Sequence, residues 1–321
     1  MPKLQLLMTN EGETYQPLIE EGVTWETDRM GTPGKLTFKV LADGIVNFQE
    51  GNNVVFSVDD TMIFNGFVFT KKRDKNQIIT VTAYDQLRYL KNKDTMVYRN
   101  KKASEVIQKL AADFVLQAGD IEDTGFVIPV RVEENTTLMD VIQTALHLTT
   151  QHSGNVYVLY DDIGKITLRN IESMKLNVVI GEGSAENFNY SSSIDKDTYN
   201  RIKLSQKNEE KGRTEIFIVE DKVKQNEWGL LQYYEEIDSD ENGIVKVEAL
   251  NKLHNQKRRS LSIQHAIGDI RVRGGSSVII HLPKLGDISL QNYMLVDKVK
   301  HTFKDSQHVM DLTLRGGLIR G

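Results

Sequence analysis

The chain has 321 residues, of which 39% are hydrophobic and 26% charged, and its formal net charge is −5 at pH 7. This length predicts two or three domains, and the absence of cysteine excludes disulfides, thiolate zinc sites and cysteine nucleophiles. The acidic balance argues against tight nucleic-acid binding. We see neither a signal peptide nor an apolar run long enough to cross a bilayer.

Residues 1–96 are predicted to be almost entirely strand. They begin with "LQLLM" and "YQPLI" and end in a hairpin at 62–85, where apolar residues alternate on both sides of a charged turn. We interpret this segment as a first β-barrel-like domain.

Residues 97–185 change character and predict a small α/β domain. A first helix would place one apolar face inward and stop at Gly119; that face comprises Val106, Ile107, Leu110, Phe114 and Val115. A second helix would begin at Thr137, which is followed three residues later by Asp140 in a capping-box pattern, and end near Gly154.

The rest of this α/β domain is predicted to be β structure. "FVIPVRV" indicates a strand between the two helices. "NVYVLYDDIGKITLRN" indicates a hairpin after them, with its turn at Asp161–Gly164.

Residues 186–321 are predicted to form a second β-barrel-like domain. It would carry an excursion at about 222–259 that the first domain lacks. The excursion would contain a helix with one apolar side, formed by Val247, Leu250 and Leu253.

The second β-barrel-like domain is similar in sequence to the first. Three blocks align: 35–40 with 260–265 at an offset of 225, 51–58 with 275–282 at 224, and 62–85 with 293–316 at 231. The last block pairs three identical residues, Val68 with Val299, Asp74 with Asp305, and Thr82 with Thr313. We interpret this as a duplicated β unit, although two unrelated β-meanders could align by chance. The predicted fold class is α+β, mainly β, with two similar barrels separated by the α/β domain.

The aligned hairpins differ on one face. In this alignment Phe67 and Phe69 stand where the second copy has Lys298 and Lys300. A strand face exposed to water should be polar, as it is in the second copy. We therefore expect both phenylalanines to face another surface, either the middle domain or another protein.

No catalytic or cofactor-binding signature is present. The chain lacks the G-x-S-x-G, H-E-x-x-H, Walker A and Rossmann glycine patterns. None of the seven histidines has a convincing metal-ligand spacing; they are His147, His152, His254, His265, His281, His301 and His308. We assign no catalytic, cofactor or metal residue, although a glycosidase-like carboxylate pair stays open because nothing singles one out.

The acidic stretch "DSDENG" is similar to the start of an EF-hand loop. Its first six positions would include Asp238, Asp240, Asn242 and Gly243. The bidentate glutamate needed at position twelve is replaced by Ala249, and Glu248 is one residue out of register. We favour an acidic turn entering a helix over a calcium site.

Two basic groups are expected to be solvated surface, with contacts to a partner protein as the alternative. One crowds the tip of the first hairpin and comprises Lys71, Lys72, Arg73 and Lys75. The other is expected at the end of the excursion helix and comprises Lys257, Arg258 and Arg259.

Several diffuse patterns resemble the baseplate hub proteins of contractile phage tails, especially those of PBSX-type defective prophages and phage-tail-like bacteriocins. They are "VTAYDQLRYLKNK", "YNRIKL", "EWGLLQYYEEID" and "VDKVKHTFKDSQHVMDLTLRG". The likeness covers essentially the whole chain and extends to the T-even baseplate hub. It implies a virion or tail-like particle assembled in the bacterial cytoplasm.

The resemblance implies a homotrimer in which two barrels per chain form a pseudo-sixfold ring. The ring would join the tail tube, or a tube-initiator protein, to the central spike and contact other baseplate proteins, with no membrane partner. The resemblance transfers no catalytic residue, so we expect a structural protein rather than an enzyme. The alternative is a tail-associated cell-wall hydrolase.

Overall fold

A computed structural model describes residues 2–41, 48–181, 183–208, 212–239, 241–285 and 288–316. The protein is mainly β, as predicted. Among its described helices, none combines the length and apolarity needed to cross a membrane.

The first β unit contains seven strands: β1 Leu4–Asn10, β2 Glu13–Tyr15, β3 Ile19–Asp28, β4 Lys35–Leu41, β5 Asn53–Val58, β6 Thr61–Arg73 and β7 Ile78–Tyr84. They pair in the order β2-β1-β5-β6-β7-β4-β3. Alternation along β4 and β6 turns Phe38 and Phe64 into a core that also contains Phe56.

The middle unit contains β8 Lys93–Lys102, α1 Ala103–Asp113, β9 Ala118–Ile121, β10 Val127–Thr137, α2 Leu138–Ser153, β11 Tyr157–Asp161 and β12 Ile166–Asn170. Helix α2 starts as predicted, because the Thr137 hydroxyl accepts a hydrogen bond from the Asp140 N–H at 3.1 Å. It ends at Gly154, whose φ of 68° is left-handed. Helix α1 ends earlier than predicted: Val115 has a φ of 55° and is 85% exposed, so it is not on the buried face.

The remaining elements are β13 Lys175–Gly181, β14 Asn187–Ser193, β15 Arg201–Asn208, β16 Arg213–Glu220, α3 Lys222–Trp228, β17 Gln232–Ile237, α4 Gly243–His254, β18 Arg258–Ile267, β19 Ser277–Leu285, β20 Ile288–Lys304 and β21 Gln307–Gly316. The second β unit consists of β13, β14 and β18–β21, paired in the order β13-β19-β20-β21-β18-β14. Strand β13 falls within the segment predicted to be α/β, but its Ile180 packs in the core of the second β unit.

The excursion predicted at about 222–259 is longer than expected. Strand β15 pairs with both β16 and β17 in a separate three-stranded sheet, in the order β16-β15-β17. Helix α4 packs on this sheet through Val247 and Leu250, two residues of the predicted apolar side. We call β15–β17 with α3 and α4 the insertion. The domain boundaries 1–96, 97–185 and 186–321 stay a prediction.

The two β units share a strand order, β4-β7-β6-β5 in the first and β18-β21-β20-β19 in the second. The hydrogen-bonded strand pairs reproduce three of the predicted numbering offsets between the two β units. Leu36 pairs with Ala83 as Leu261 pairs with Leu314, which gives 225 for β4/β18 and 231 for β7/β21. The offset of 224 holds for β5/β19. The shared order favours duplication, which stays a prediction.

The predicted equivalence of Val68 with Val299 is wrong. Phe67 pairs with Tyr84, and Leu295 pairs with Arg315, so the offset between β6 and β20 is 228. A register shift between Val68 and Thr70 recurs at this same offset, between Val296 and Lys298. The counterparts of Phe67 and Phe69 are therefore Leu295 and Asp297, not Lys298 and Lys300.

A longer hairpin explains the three-residue error. Eight residues separate the paired His301 and Met310, whereas five separate the corresponding Arg73 and Ile79. The additional residues extend the β20–β21 ladder to Lys304 and Gln307 and leave the two-residue turn Asp305–Ser306. Both turn residues have positive φ, as a tight hairpin turn requires.

The extended hairpin joins the two β units. Strand β20 pairs with β3 from Lys298–Asp28 to Phe303–Val23, so both units form one continuous sheet. We call this β3–β20 pairing the seam. Phe303 is 1% exposed and lies in the core of the first β unit, with its ring centroid 5.4 Å from that of Phe56.

Replacing Phe303 with alanine is expected to lower the free energy of unfolding by about 3–5 kcal/mol, because it leaves a cavity in a core shared by both units. Urea denaturation followed by circular dichroism measures this loss. Phe188→Ala is the matched control: Phe188 is 43% exposed, and its loss should cost less than about 1 kcal/mol. Equal losses in the two variants would contradict the shared core.

Candidate assembly interface

The seam is held at its rim by three charged side chains. Asp297 is the bulge residue of β20; its carboxylate accepts hydrogen bonds from Arg29 Nε at 2.9 Å and Arg315 Nε at 2.7 Å. Arg29 follows β3 of the first β unit, whereas Arg315 lies on β21 of the second. The carboxylate is thus paired twice, with Arg29 across the seam and with Arg315 inside the second β unit, and it is only partly exposed, at 17%.

A neutral histidine pair occupies the middle of the seam. His301 is fully buried, stacks on Trp25 with ring centroids 4.7 Å apart, and faces His308 with 2.9 Å between Nδ1 and Nε2. Its Nε2 lies 2.9 Å from the Val272 carbonyl oxygen and donates to it, so Nδ1 accepts from His308. Burial lowers the pKa of His301 to about 3 and that of His308 to about 4.

The seam also brings two backbones unusually close. The Gly274 N–H donates to the Thr27 hydroxyl at 2.8 Å, and a Cβ on Gly274 would lie 2.5 Å from the Asp28 carbonyl carbon. A side chain at this position would clash with the backbone, so only glycine fits at residue 274.

A buried charged cluster lies where the middle unit meets both β units. Arg273 of the second unit donates from Nη2 to the Asp161 carbonyl oxygen at 2.6 Å and stacks 3.9 Å above the Tyr160 ring. Asp85, which follows β7, accepts hydrogen bonds from the Gly34 and Leu87 N–H groups at 2.8 and 3.1 Å. Burial raises the pKa of Asp85 well above its usual range, and the charge of Asp161 raises it further.

The insertion is tied to the middle unit by a second ionic network. Lys246 on α4 is almost fully buried and contacts Glu235 and Glu241 at 2.9 and 2.6 Å. His152 at the end of α2 lies 3.4 Å from the same Glu241 carboxylate. Burial alone would raise the pKa of Glu241, but hydrogen bonds from His152 and Lys246 outweigh it and hold the value at about 2.

Phe67 and Phe69 are half-buried within the chain. Both rings pack against Tyr89, which lies in the short helix Gln86–Lys91 leading to the middle unit, with centroid distances of 6.1 and 5.9 Å. Phe69 also contacts Tyr84 at 5.5 Å. Both tyrosines lie within residues 1–96, so these contacts are not with the middle domain, and the lysine comparison behind the expectation was wrong.

The residues of the acidic stretch do not form an EF-hand loop. Helix α4 begins at Gly243, so positions six to twelve of such a loop are helical, including Glu248 and Ala249. The Asn242 side chain caps this helix by accepting from the Val245 N–H. Asp240 lies outside the described residues. In the described part of the chain, no group of three or more histidine or acidic side chains is placed to hold a metal.

The two basic groups lie in different surroundings. Around the first hairpin tip the side chains are exposed, although Lys71 Nζ donates to the Phe48 carbonyl oxygen at 2.7 Å. The second group does not end a helix as predicted, because α4 stops at His254 and Arg258 and Arg259 begin β18. Arg258 donates to the Asp197 carbonyl oxygen at 2.9 Å.

Comparisons with known proteins agree with this architecture. Residues 23–315 match the model of the YqbQ-like family. Two Bacillus subtilis (strain 168) proteins match over 319 residues: the uncharacterized protein YqbQ is 31% identical and covers 96% of this chain and 95% of its own, and the phage-like element PBSX protein XkdQ is 30% identical and covers 96% of each.

Solved structures share the fold at low identity. The 43 kDa tail protein of prophage MuSo2 from Shewanella oneidensis has a TM-score of 0.68 at 11% identity, covering 97% of this chain and 98% of its own. The Escherichia coli c3393 protein, a type VI secretion component described as structurally similar to T4 tail proteins gp27 and gp5, has a TM-score of 0.59 at 10% identity, covering 97% and 76%.

The chain therefore shares its fold with a phage tail protein and a type VI secretion component. The chain belongs to the YqbQ-like family. One relative, XkdQ, is a protein of the phage-like element PBSX, in agreement with the PBSX-type resemblance of the sequence.

The histidine pair makes stability dependent on pH. The unfolded chain takes up protons as pH falls through about 6.5, whereas the folded histidines stay neutral to about pH 4 and pH 3. Acidification from pH 7 to 4 should therefore destabilise the fold by up to about 1.4 kcal/mol per pH unit for each histidine. Urea titrations at a series of pH values measure this slope.

His308→Gln should flatten the slope, because one of the two depressed pKa values is removed. His281→Gln, at an exposed position, is the control and should leave the slope unchanged. A wild-type slope that His308→Gln does not reduce would exclude the pair as its source.

The acidic stretch should not bind calcium tightly. We expect calorimetric titration to show no site tighter than about millimolar, the weak limit for such loops. Asp238→Asn should shift the melting temperature equally in calcium and in chelator. A micromolar site would show that the helical start of α4 rearranges on binding.

Proposed function

We propose that this protein is the baseplate hub of a contractile tail or tail-like particle. Three copies would form a ring that joins the tail tube, or its initiator protein, to the central spike. The observation that carries the proposal is the seam. One chain places two sheets of the same strand order side by side in a continuous sheet, so three chains offer six similar units to a sixfold tube.

Exposed apolar faces suit a protein with several neighbours. The outer face of the β8–β10 ribbon carries Val97, Val130 and Val132, each at least half exposed. The outer face of the insertion sheet carries Ile216 and Ile218 beside Tyr234. Patches of this kind mark protein contacts, and other baseplate proteins are the partners that this function would supply.

The hub proposal makes the protein structural rather than enzymatic. Its polar clusters serve the joints between units: Asp297 pairs with Arg29 across the seam, and Glu241 of the insertion lies 3.4 Å from His152 of the middle unit. A zymogram on bacterial cell walls should therefore show no clearing, and a clearing band would favour the hydrolase alternative.

Native mass spectrometry of the full chain, or of particles containing it, should find three copies. A heterologous head-to-tail contact that closes gives such a ring without a twofold axis. Phe303→Ala is an informative variant here, because the core shared across the seam sets how the two units of one chain are oriented. A reconstruction with two, four or six copies around the axis would contradict the hub.

A further inference from the structure

Two sheet edges are left open, one in each β unit. Strand β14 pairs with β18 on one side, and no described strand pairs with its other side. The end of β6, Thr70–Arg73, pairs with β7 on one side and is likewise open on the other among the described strands.

Strand β14 lacks the usual protection of an edge. Its seven residues, "NFNYSSS", include no charge and no proline, the features that natural proteins use to block unwanted pairing. Six of the seven residues are exposed. An open strand of this composition is suited to accept another strand.

The two open edges correspond to the two strands that form the seam. Tyr190 of β14 pairs with Leu261 as Trp25 of β3 pairs with Leu36, so β14 takes the position of β3 at an offset of 165. At the offset of 228, Thr70–Arg73 takes the position of 298–301 in β20. Each unit therefore holds one half of a second seam.

We propose that β14 of one copy pairs antiparallel with Thr70–Arg73 of a second copy, so that the seam recurs between chains. This inference rests on the proposed trimeric hub and specifies its contact. The register follows from the seam, where His301 faces Trp25 and Lys300 faces Glu26. Arg73 would face Tyr190, and Lys72 would face Ser191.

The charges of the two segments also favour pairing of Thr70–Arg73 with β14. The incoming segment is basic, with Lys71, Lys72 and Arg73 in sequence. The receiving strand is flanked by carboxylates, Glu186 before it and Asp195 after it. The seam itself has this polarity, since Lys298 Nζ of β20 lies 3.9 Å from the Glu26 carboxylate of β3. In the proposed register Lys72 and Arg73 face the uncharged residues Ser191 and Tyr190, so no like charges of the two strands face each other directly.

The contact between chains would be shorter than the seam. The first hairpin lacks the three-residue extension, so it offers four residues where β20 pairs six, and it has no counterpart of Phe303. This difference fits the two roles. The seam forms as part of folding, whereas the second contact forms between separate chains.

Engineered cysteines test the register directly, because the natural chain has none. Ser191→Cys and Lys72→Cys, combined in one full-length chain, place both thiols at exposed positions that would face each other between copies. Mild oxidation should then give covalent dimers and trimers on non-reducing gels. Each single variant should give no ladder, because a head-to-tail contact places one cysteine against an unmodified position.

Asn187→Cys with Lys72→Cys is the matched control. Asn187 is exposed and lies on the same side of β14 as Ser191, but four residues away, which is about 13 Å along a strand. A disulfide needs Cα atoms within about 7 Å, so this pair should remain monomeric on gels.

Native mass of the unmodified chain separates failure of this inference from failure of the hub. A trimer with no Ser191→Cys/Lys72→Cys ladder, or with an equal ladder in the control, overturns the strand contact alone. A chain that stays monomeric by mass and gives no ladder at high concentration counts against both proposals. A trimer with a ladder specific to the predicted register supports both.

Discussion

Much of this fold depends on one constraint, the pairing of β3 with the far half of β20. Strand β20 is 17 residues long and changes partner along its length: β19 covers its first half and β3 its second. Without that second half, β3 would present unpaired N–H and C=O groups along its outer edge, which is costly for buried backbone. The seam satisfies these groups and fixes the relative orientation of the two β units at the same time.

The same bulge has opposite chemistry in the two units. Phe69 of the first unit packs against Tyr84, whereas the corresponding Asp297 of the second pairs with the corresponding Arg315. The other contact of the bulge residue also differs: Phe69 packs against Tyr89, whereas Asp297 accepts a hydrogen bond from Arg29. A doubly paired carboxylate adds directional hydrogen bonds where two β units must meet in one register. In the first unit, aromatic packing of Phe69 is sufficient, because it only has to cover the short helix Gln86–Lys91.

Local patterns predicted local structure well. The N-cap at Thr137, the end of α2 at Gly154 and the turn at Asp161–Gly164 each depend on residues close in sequence, and all were confirmed. The β6/β20 offset was misjudged because strands of alternating pattern align in several registers. Only the hydrogen-bonded partners distinguish the true offset of 228 from the predicted offset of 231.

Long-range features left little trace in the sequence. From the sequence, strands β15 and β16 look like continuations of the second barrel. Only the pairing of β15 with both β16 and β17 assigns them to the insertion. Nothing near Arg273 in the chain indicates that it enters a buried cluster with Asp161, 112 residues away. The role of His301 in the seam depends on its stacking with Trp25, which the other β unit supplies.

The seam has the anatomy of an interface between proteins although it lies within one chain. Its centre is aromatic and neutral, with Trp25, His301 and Phe303 almost fully buried. Charges are confined to the rim, where Asp297 and its arginines keep partial access to water. Neutral histidines suit such a centre, because a charged group there would need a partner that the aromatic packing excludes.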